Sequence, residues 1–308
     1  MSEIHHDEHL LDRAAMLVMR AMLAVQPPAR FTPASRPMFD ELMDKAPPAE
    51  AVGFEQATVA GVAGWWCRPA SAVEGRAVLY FHGGAYALGS ALAYRNFVSQ
   101  IASRARAPVF IADYRLAPEN PYPAAVEDAW AAYDGLAEQG FDAIAIAGDS
   151  AGGGLALVLL EMTAHALATA ARLPVAAALM SPWTDLTLSG ASMESRGKHD
   201  PLLSRETLDE AAVAYAGSHD RGDPRISPLQ GDLSGLPPVL VHVGEDEVLL
   251  DDSRRYQQRC EAAGGRATVH VWHGMTHVFP SSVSMLRAAR EALDITGRFL
   301  DDALGRRA

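Results

Sequence analysis

From residue 76 onward the apolar positions follow two alternating rhythms. Short continuous apolar runs, "RAVLYFH", "PVFIADY", "AIAIAG", "LPVAAALM", "PPVLVHVG" and "ATVHVW", are separated by longer stretches. Among the stretches are "YRNFVSQIASRARA", "PAAVEDAWAAYDGLAEQ" and "AGGGLALVLLEMTAHALATA". Compact apolar runs bounded by turn residues read as strands buried on both faces, and the segments between them have helical length. Strand and helix in alternation predict a mostly parallel central sheet with helices on both faces, an α/β fold.

Upstream, "FEQATVAGVAGWWCRP" reads as a hairpin with glycines at its turn. Residues 8–25 have the spacing of one amphipathic helix, ended by Pro27 and Pro28, and residues 27–50 read as proline-rich and irregular. The rhythm breaks after Trp183. Residues 185–228 carry a polar loop and a short helix around Glu206 to Ala216, too long an interruption for an ordinary connection. It predicts an inserted cap. The organisation expected is a catalytic domain from residues 51–184 and 229–308, with residues 185–228 and 1–50 contributing the cap.

Composition narrows the function. The 308 residues are 49% hydrophobic and 21% charged, as in an ordinary globular protein. The net charge of -12 and the lack of a Lys/Arg run argue against a nucleic-acid partner. Two widely separated cysteines, Cys67 and Cys260, suit neither a disulfide framework nor a thiolate metal site, and predict a reduced, cytoplasmic protein. Arg13 and Arg20 interrupt the first apolar stretch, which therefore predicts neither a leader nor a membrane anchor. His5, His6 and His9 have no companion ligands nearby and read as a solvated face, not a metal site. No exposed apolar flap for a lipid surface is evident.

The candidate chemistry lies in "IAIAGDSAGGGLAL". A dinucleotide fingerprint needs a third glycine where Leu157 stands, and a phosphate loop needs a lysine that is not there. Gly148-Asp149-Ser150-Ala151-Gly152 is instead G-x-S-x-G between a strand and a helix, the setting of a nucleophile elbow. Ser150 then needs a base and donors for a developing oxyanion. "YFHGGAY" follows the first strong strand and predicts donors at the backbone N–H groups of Gly83 and Gly84, with Ala151 as a third. His82 is expected to shape that loop. The acid and base should follow the serine in chain order. "GEDEVLLDDS" and "HGMTHVF" each follow a strand, leaving several acids, and His273 and His277, in competition.

These pieces resemble the hormone-sensitive-lipase-like family (bacterial type IV esterases) of the α/β-hydrolase superfamily. The resemblance rests on His82-Gly83-Gly84, "DYRLAPE", "YPAAVEDA", "GDSAGG", "SPW", "ISPL" and the terminal His277-x-Phe279, in order from about residue 75 to 280. It implies an α/β-hydrolase fold with a helical cap, hydrolysis of carboxylic esters without cofactor or metal, and a homodimer. His277 takes the place of the family's histidine. The family's acid lies 30 residues ahead, at Glu247, with Asp246 immediately before it. Three departures stand out: Ala85 for the third glycine of the loop, Val278 after the histidine, and glutamate for the usual aspartate. Tyr86, Trp183 and Phe279 flank the predicted centre and are expected to line an apolar pocket. The capped pocket predicts short-chain acyl esters or small lactones as substrates. An amidase or deacetylase would use the same triad; a non-catalytic small-ligand receptor would lack one of its members.

Overall fold

The computed structural model describes residues 3–25, 30–166 and 173–306. Its strands are β1 (Glu3–His6), β2 (Val52–Val59), β3 (Val62–Pro69), β4 (Arg76–Phe81), β5 (Val109–Ala112), β6 (Ala143–Asp149), β7 (Ala177–Met180), β8 (Val239–Gly244) and β9 (Ala267–Trp272). Its helices are α1 (Leu10–Leu23), α2 (Arg36–Asp44), α3 (Ala91–Ala105), α4 (Ala124–Glu138), α5 (Ser150–His165), α6 (Ser192–Ser195), α7 (Arg205–Ala216), α8 (Leu250–Ala262) and α9 (Arg287–Gly305).

The strands form one sheet in the order β1-β9-β8-β7-β6-β4-β5-β3-β2. Pairing is parallel except at the β2–β3 hairpin and between β3 and β5. Alternation along β4 shows why both faces must be covered. Leu79 and Phe81 enter one core with Leu155, Leu159 and Tyr133, while Val78 and Tyr80 enter the other with Phe97, Ile101 and Leu300. Helices α4 and α5 therefore close one face, and α3 and α9 the other.

The order of strands places the site. The chain passes from β4 outward to β5 and returns to β6 on the other side of β4. At such a reversal the loops leaving adjacent strands diverge and open a crevice beyond their carboxyl ends. Phe81, at the end of β4, pairs with Gly148 near the end of β6, so the histidine-glycine loop and the serine loop rise side by side.

Three features depart from the sequence expectations. First, Glu3–His6 already belongs to the sheet, as an edge strand parallel to β9. His6 is accordingly not a solvated residue: its ring stacks on Trp272 at 3.7 Å and its Nε2 lies 2.8 Å from His270 Nδ1. Second, the stretch read as irregular contains α2, whose Phe39 and Met43 pack against the α3 side of the sheet. Third, α1 is apolar on both sides. Met16 faces Trp272 and Phe279, but Leu10, Leu17, Val18 and Met22 are exposed. No described helix is long and apolar enough to cross a membrane. Pro27 and Pro28, expected to end α1, lie outside the described residues, as does the expected end of α5 near Ala170.

Helix α1 is tied down by a cap it supplies to another helix. Buried Asp12 accepts the N–H groups of Arg287 and Ala288, both at 2.8 Å, at the start of α9, where no local side chain does so. A carboxylate there satisfies two orphan donors and complements the helix dipole. Asp12→Ala is expected to lower stability by about 1–2 kcal/mol, read from the urea midpoint at unchanged slope. A neutral result would show that water caps α9 equally well.

Candidate active site

Strand β6 ends at Asp149 and α5 starts at Ser150 with no linker. The reversal is so tight that Ser150 takes φ 53°, a left-handed conformation unusual for a side-chain-bearing residue. The flanking glycines are required by contact. A Cβ on Gly152 would lie 2.1 Å from the Phe81 carbonyl oxygen, and one on Gly148 would lie 2.5 Å from that of Gly152.

The serine meets one of the two competing histidines. Ser150 Oγ lies 2.9 Å from His277 Nε2, and His277 Nδ1 lies 2.7 Å from Glu247 Oε2. An ionised carboxylate only accepts, so Nδ1 carries the ring hydrogen and Nε2 is left to accept from the serine hydroxyl. Glu247 is fully buried. Its second oxygen accepts the Ser181 hydroxyl at 2.8 Å and the Gly244 N–H at 2.6 Å. Ser181 Oγ also takes the N–H of Val278 at 3.0 Å, which ties the acid to the histidine loop. Burial disfavours the His277 cation, but the hydrogen bond and charge of Glu247, helped by Asp200 and Asp149, outweigh it and raise the imidazole above its ordinary pKa.

The other candidates point elsewhere. Asp246 turns away from His277 to Arg20, Nη2 to Oδ2 at 2.7 Å. His273 pairs with Glu245 at 3.1 Å. Buried His82 lies against Tyr114, ring centroids 4.5 Å apart, and contacts the Gly83 carbonyl through Nδ1 at 2.8 Å. Desolvation pushes it down to about 4, so it is a neutral shape-holding group.

The glycine loop differs in one respect from its expected role. The N–H of Gly83 is already committed to Asp149 Oδ1 at 3.0 Å. That carboxylate also accepts the hydroxyls of Tyr80 and Tyr94, and burial raises it to about 6 despite those bonds. The next three residues, Gly84, Ala85 and Tyr86, all have positive φ, which coils the loop into a tight turn closed by the N–H groups of Ala87 and Leu88 on the Gly84 carbonyl. Among the described residues, the N–H groups of Gly84, Ala85 and Ala151 have no hydrogen-bond partner. Ala85, not singled out as a donor from the sequence, thus has a free N–H where Gly83 does not. The available clue was Asp149, an acid beside the serine that needs a donor of its own.

The aromatic candidates separate. Tyr86 and Trp183 lie together beside α5, rings 6.2 Å apart, and the Trp183 N–H bonds the Ser150 carbonyl at 2.9 Å. Tyr215 of α7 stacks on Tyr86 at 3.7 Å, a contribution from the insertion that no sequence spacing signalled. Phe279 is elsewhere. Val278 at φ 50° starts a tight turn that carries Phe279 under α1, against Trp272 and Met16. Among the described residues, no group of three or more His, Cys, Asp or Glu could hold a metal ion.

A family model for the alpha/beta hydrolase fold matches residues 78–281. The chain is 42% identical over 261 residues to an acetyl-hydrolase of Streptomyces hygroscopicus, covering 84% of each chain. It is 38% identical over 263 residues to an esterase of Acinetobacter venetianus, covering 84% of this chain and 86% of that one. The crystal structure of an esterase from the bacterial hormone-sensitive lipase family matches with TM-score 0.90 at 35% identity, over 97% of this chain and 100% of that one. EstE5, soaked with p-nitrophenyl butyrate, matches with TM-score 0.86 at 36% identity, over 94% of this chain and 99% of that one. The chain belongs to the α/β-hydrolase fold family. Within it, the chain is a carboxylic-ester hydrolase of the hormone-sensitive-lipase-like group.

Proposed function

We propose that the protein hydrolyses short-chain acyl esters or small lactones through a Ser150–His277–Glu247 triad and an acyl-enzyme. The observation that carries this reading is the unbroken chain of short contacts from Ser150 Oγ through both imidazole nitrogens to a buried carboxylate. Ser150 Oγ attacks the ester carbonyl as its proton passes to His277 Nε2. Glu247 holds the ring in the required tautomer and stabilises the imidazolium. The N–H groups of Gly84, Ala85 and Ala151 receive the oxyanion, each donor contributing about 2.7–4 kcal/mol in a comparable enzyme. His277 returns the proton to the leaving alkoxide. Water then attacks the acyl-enzyme by the same route and the acid departs. Gly83 supports this loop through Asp149 and does not face the oxyanion.

The cap in this reading comprises α1 and residues 185–228. Its contribution to the pocket is Tyr215, stacked on Tyr86 near Trp183. Reading this aromatic block beside α5 as the acyl-site wall favours a small acyl group, in keeping with an acetyl-hydrolase relative and a p-nitrophenyl butyrate soak in a structural neighbour. Cys67 and Cys260, both buried and unpaired, support a reducing compartment. The test is a p-nitrophenyl ester series from acetate to palmitate with a matched anilide. The expected kcat/KM peaks between acetate and butyrate, falls by decanoate, and leaves the anilide nearly uncut. A maximum at palmitate would overturn the short-chain assignment, and efficient anilide cleavage would make the protein an amidase.

A further inference from the structure

We propose that the cap is part of the mounting of the catalytic acid, with Asp200 and Arg20 as positioning residues that hold Glu247 from either side. This rests on the triad reading above.

Glutamate has one more rotatable bond than aspartate, so a triad glutamate has more freedom to lose. Ser181 and Gly244 fix its Oε1, but the turn that carries it between β8 and α8 needs its own anchors. Those anchors come from the cap. The N–H of Val248, immediately after Glu247, donates to Asp200 Oδ2 at 2.9 Å. The carboxylate of Asp246, immediately before it, receives Arg20 of α1 at 2.7 Å. The same guanidinium donates to the His199 carbonyl, next to Asp200 in the chain, and at 3.4 Å to the carbonyl of Gly274 in the histidine loop. Residues 199 and 200 are thereby laced to residues 246 and 248.

Asp200 is unusual enough to require such a role. It is only 8% exposed, and burial holds its carboxyl above the ordinary range. Burying a carboxylate is costly unless its oxygens are satisfied. Oδ1 takes the N–H groups of Leu202 and Leu203 in its own segment, while Oδ2 reaches across to the acid turn. The side chain is a bridge between two separate parts of the fold. A shift of the cap is therefore transmitted to Glu247, and through it to the imidazole.

The experiment measures kcat and KM for p-nitrophenyl butyrate in Asp200→Asn and Arg20→Gln, alone and in a Glu247→Gln background, with thermal melts of each variant. In Asp200→Asn the amide oxygen keeps the two local donors and the amide nitrogen confronts the Val248 N–H. The expected single-variant loss is about 10- to 100-fold in kcat with KM nearly unchanged, as for a small misplacement of a catalytic group. In the Glu247→Gln background Arg20→Gln should cost almost nothing further, because its effect passes through the acid, and Asp200→Asn should cost only what its own charge lends His277 directly. A loss expressed in KM, or full additivity in the double variants, overturns the proposal and leaves the cap as a pocket wall. Wild-type activity in Glu247→Gln alone would instead overturn the triad reading. If Asp200→Asn does not fold, the Arg20→Gln cycle decides, since Arg20 lies on an accessible helix.

Discussion

Ser150→Ala is expected to lower kcat for short-chain esters by about 10⁴- to 10⁶-fold, with the fold intact. The serine carries three burdens at once: it holds a left-handed backbone, starts α5 and presents its Oγ to His277 Nε2. Alanine meets the first two as well as serine does, having the same Cβ and no larger volume. Only the hydroxyl is lost. The imidazole then has nothing to deprotonate but water, and no acyl-enzyme forms. The residual rate reflects the donors at Gly84, Ala85 and Ala151, which still favour a tetrahedral oxyanion. An unchanged thermal melt separates this from misfolding, and in the folded variant loss of the single mass adduct left by an organophosphonate assigns the nucleophile to Ser150. A variant keeping more than about a hundredth of wild-type kcat would place the nucleophile elsewhere.

Glu247→Gln should cost nearly as much, about 10⁴-fold, by a different route. Oε1 of Glu247 is held by two donors, the Ser181 hydroxyl and the Gly244 N–H. In the glutamine variant the amide oxygen must take that position, which turns the amide N–H₂ toward His277 Nδ1. The ring is forced into the tautomer with hydrogen on Nε2, pointed at Ser150 Oγ, and it ceases to be a base. Asp246→Asn, on a carboxylate that faces Arg20, should lose far less. The pH profile gives a second readout. The base works only when neutral, so a raised His277 pKa moves the acid limb of kcat/KM above the ordinary histidine value of about 6.5. Removing the charge of Glu247 weakens the imidazolium, so the limb of any residual activity should move to lower pH. A limb that stays in place, or near-full activity in Glu247→Gln with a large loss in Asp246→Asn, would reassign the acid.

Most of the elbow was legible because its constraints are local. Gly148 and Gly152 are dictated by backbone atoms within a few residues or on the adjacent strand, and that need is written next to the serine. The buried strands were legible for a similar reason, since both faces of a parallel sheet demand apolar residues. The partners of Ser150 were not local. Two histidines and several acids followed suitable strand ends, and their geometry depends on loops that only the fold aligns. Gly83 shows how one hydrogen bond decides which N–H groups stay free: Asp149 takes that of Gly83, while those of Gly84 and Ala85 have no partner among the described residues. Strand β1 was invisible because Glu3–His6 has no apolar alternation and its partner β9 is distant in sequence. Helix α2 was hidden by nearby prolines, although Phe39, Leu42 and Met43 have helical spacing.

The pairing of Glu3 with Val269 and the capping of α9 by Asp12 impose an order of assembly. Residues 3–23 are synthesised long before the strand and helix that receive them. At about 5–20 residues per second the interval is on the order of tens of seconds. During it, α1 has neither Trp272 nor Phe279 to cover Met16, and Arg20 has no acid turn to grip. When β9 does form, its edge remains a template for other strands until β1 arrives. Residues 3–23 thus precede their partners in synthesis yet are seated only after them, and their seating pairs β1 with β9 and caps α9. A nascent chain holding Ser150 in a finished elbow would still await β1 and α1 before its sheet edge and the cap of α9 were complete.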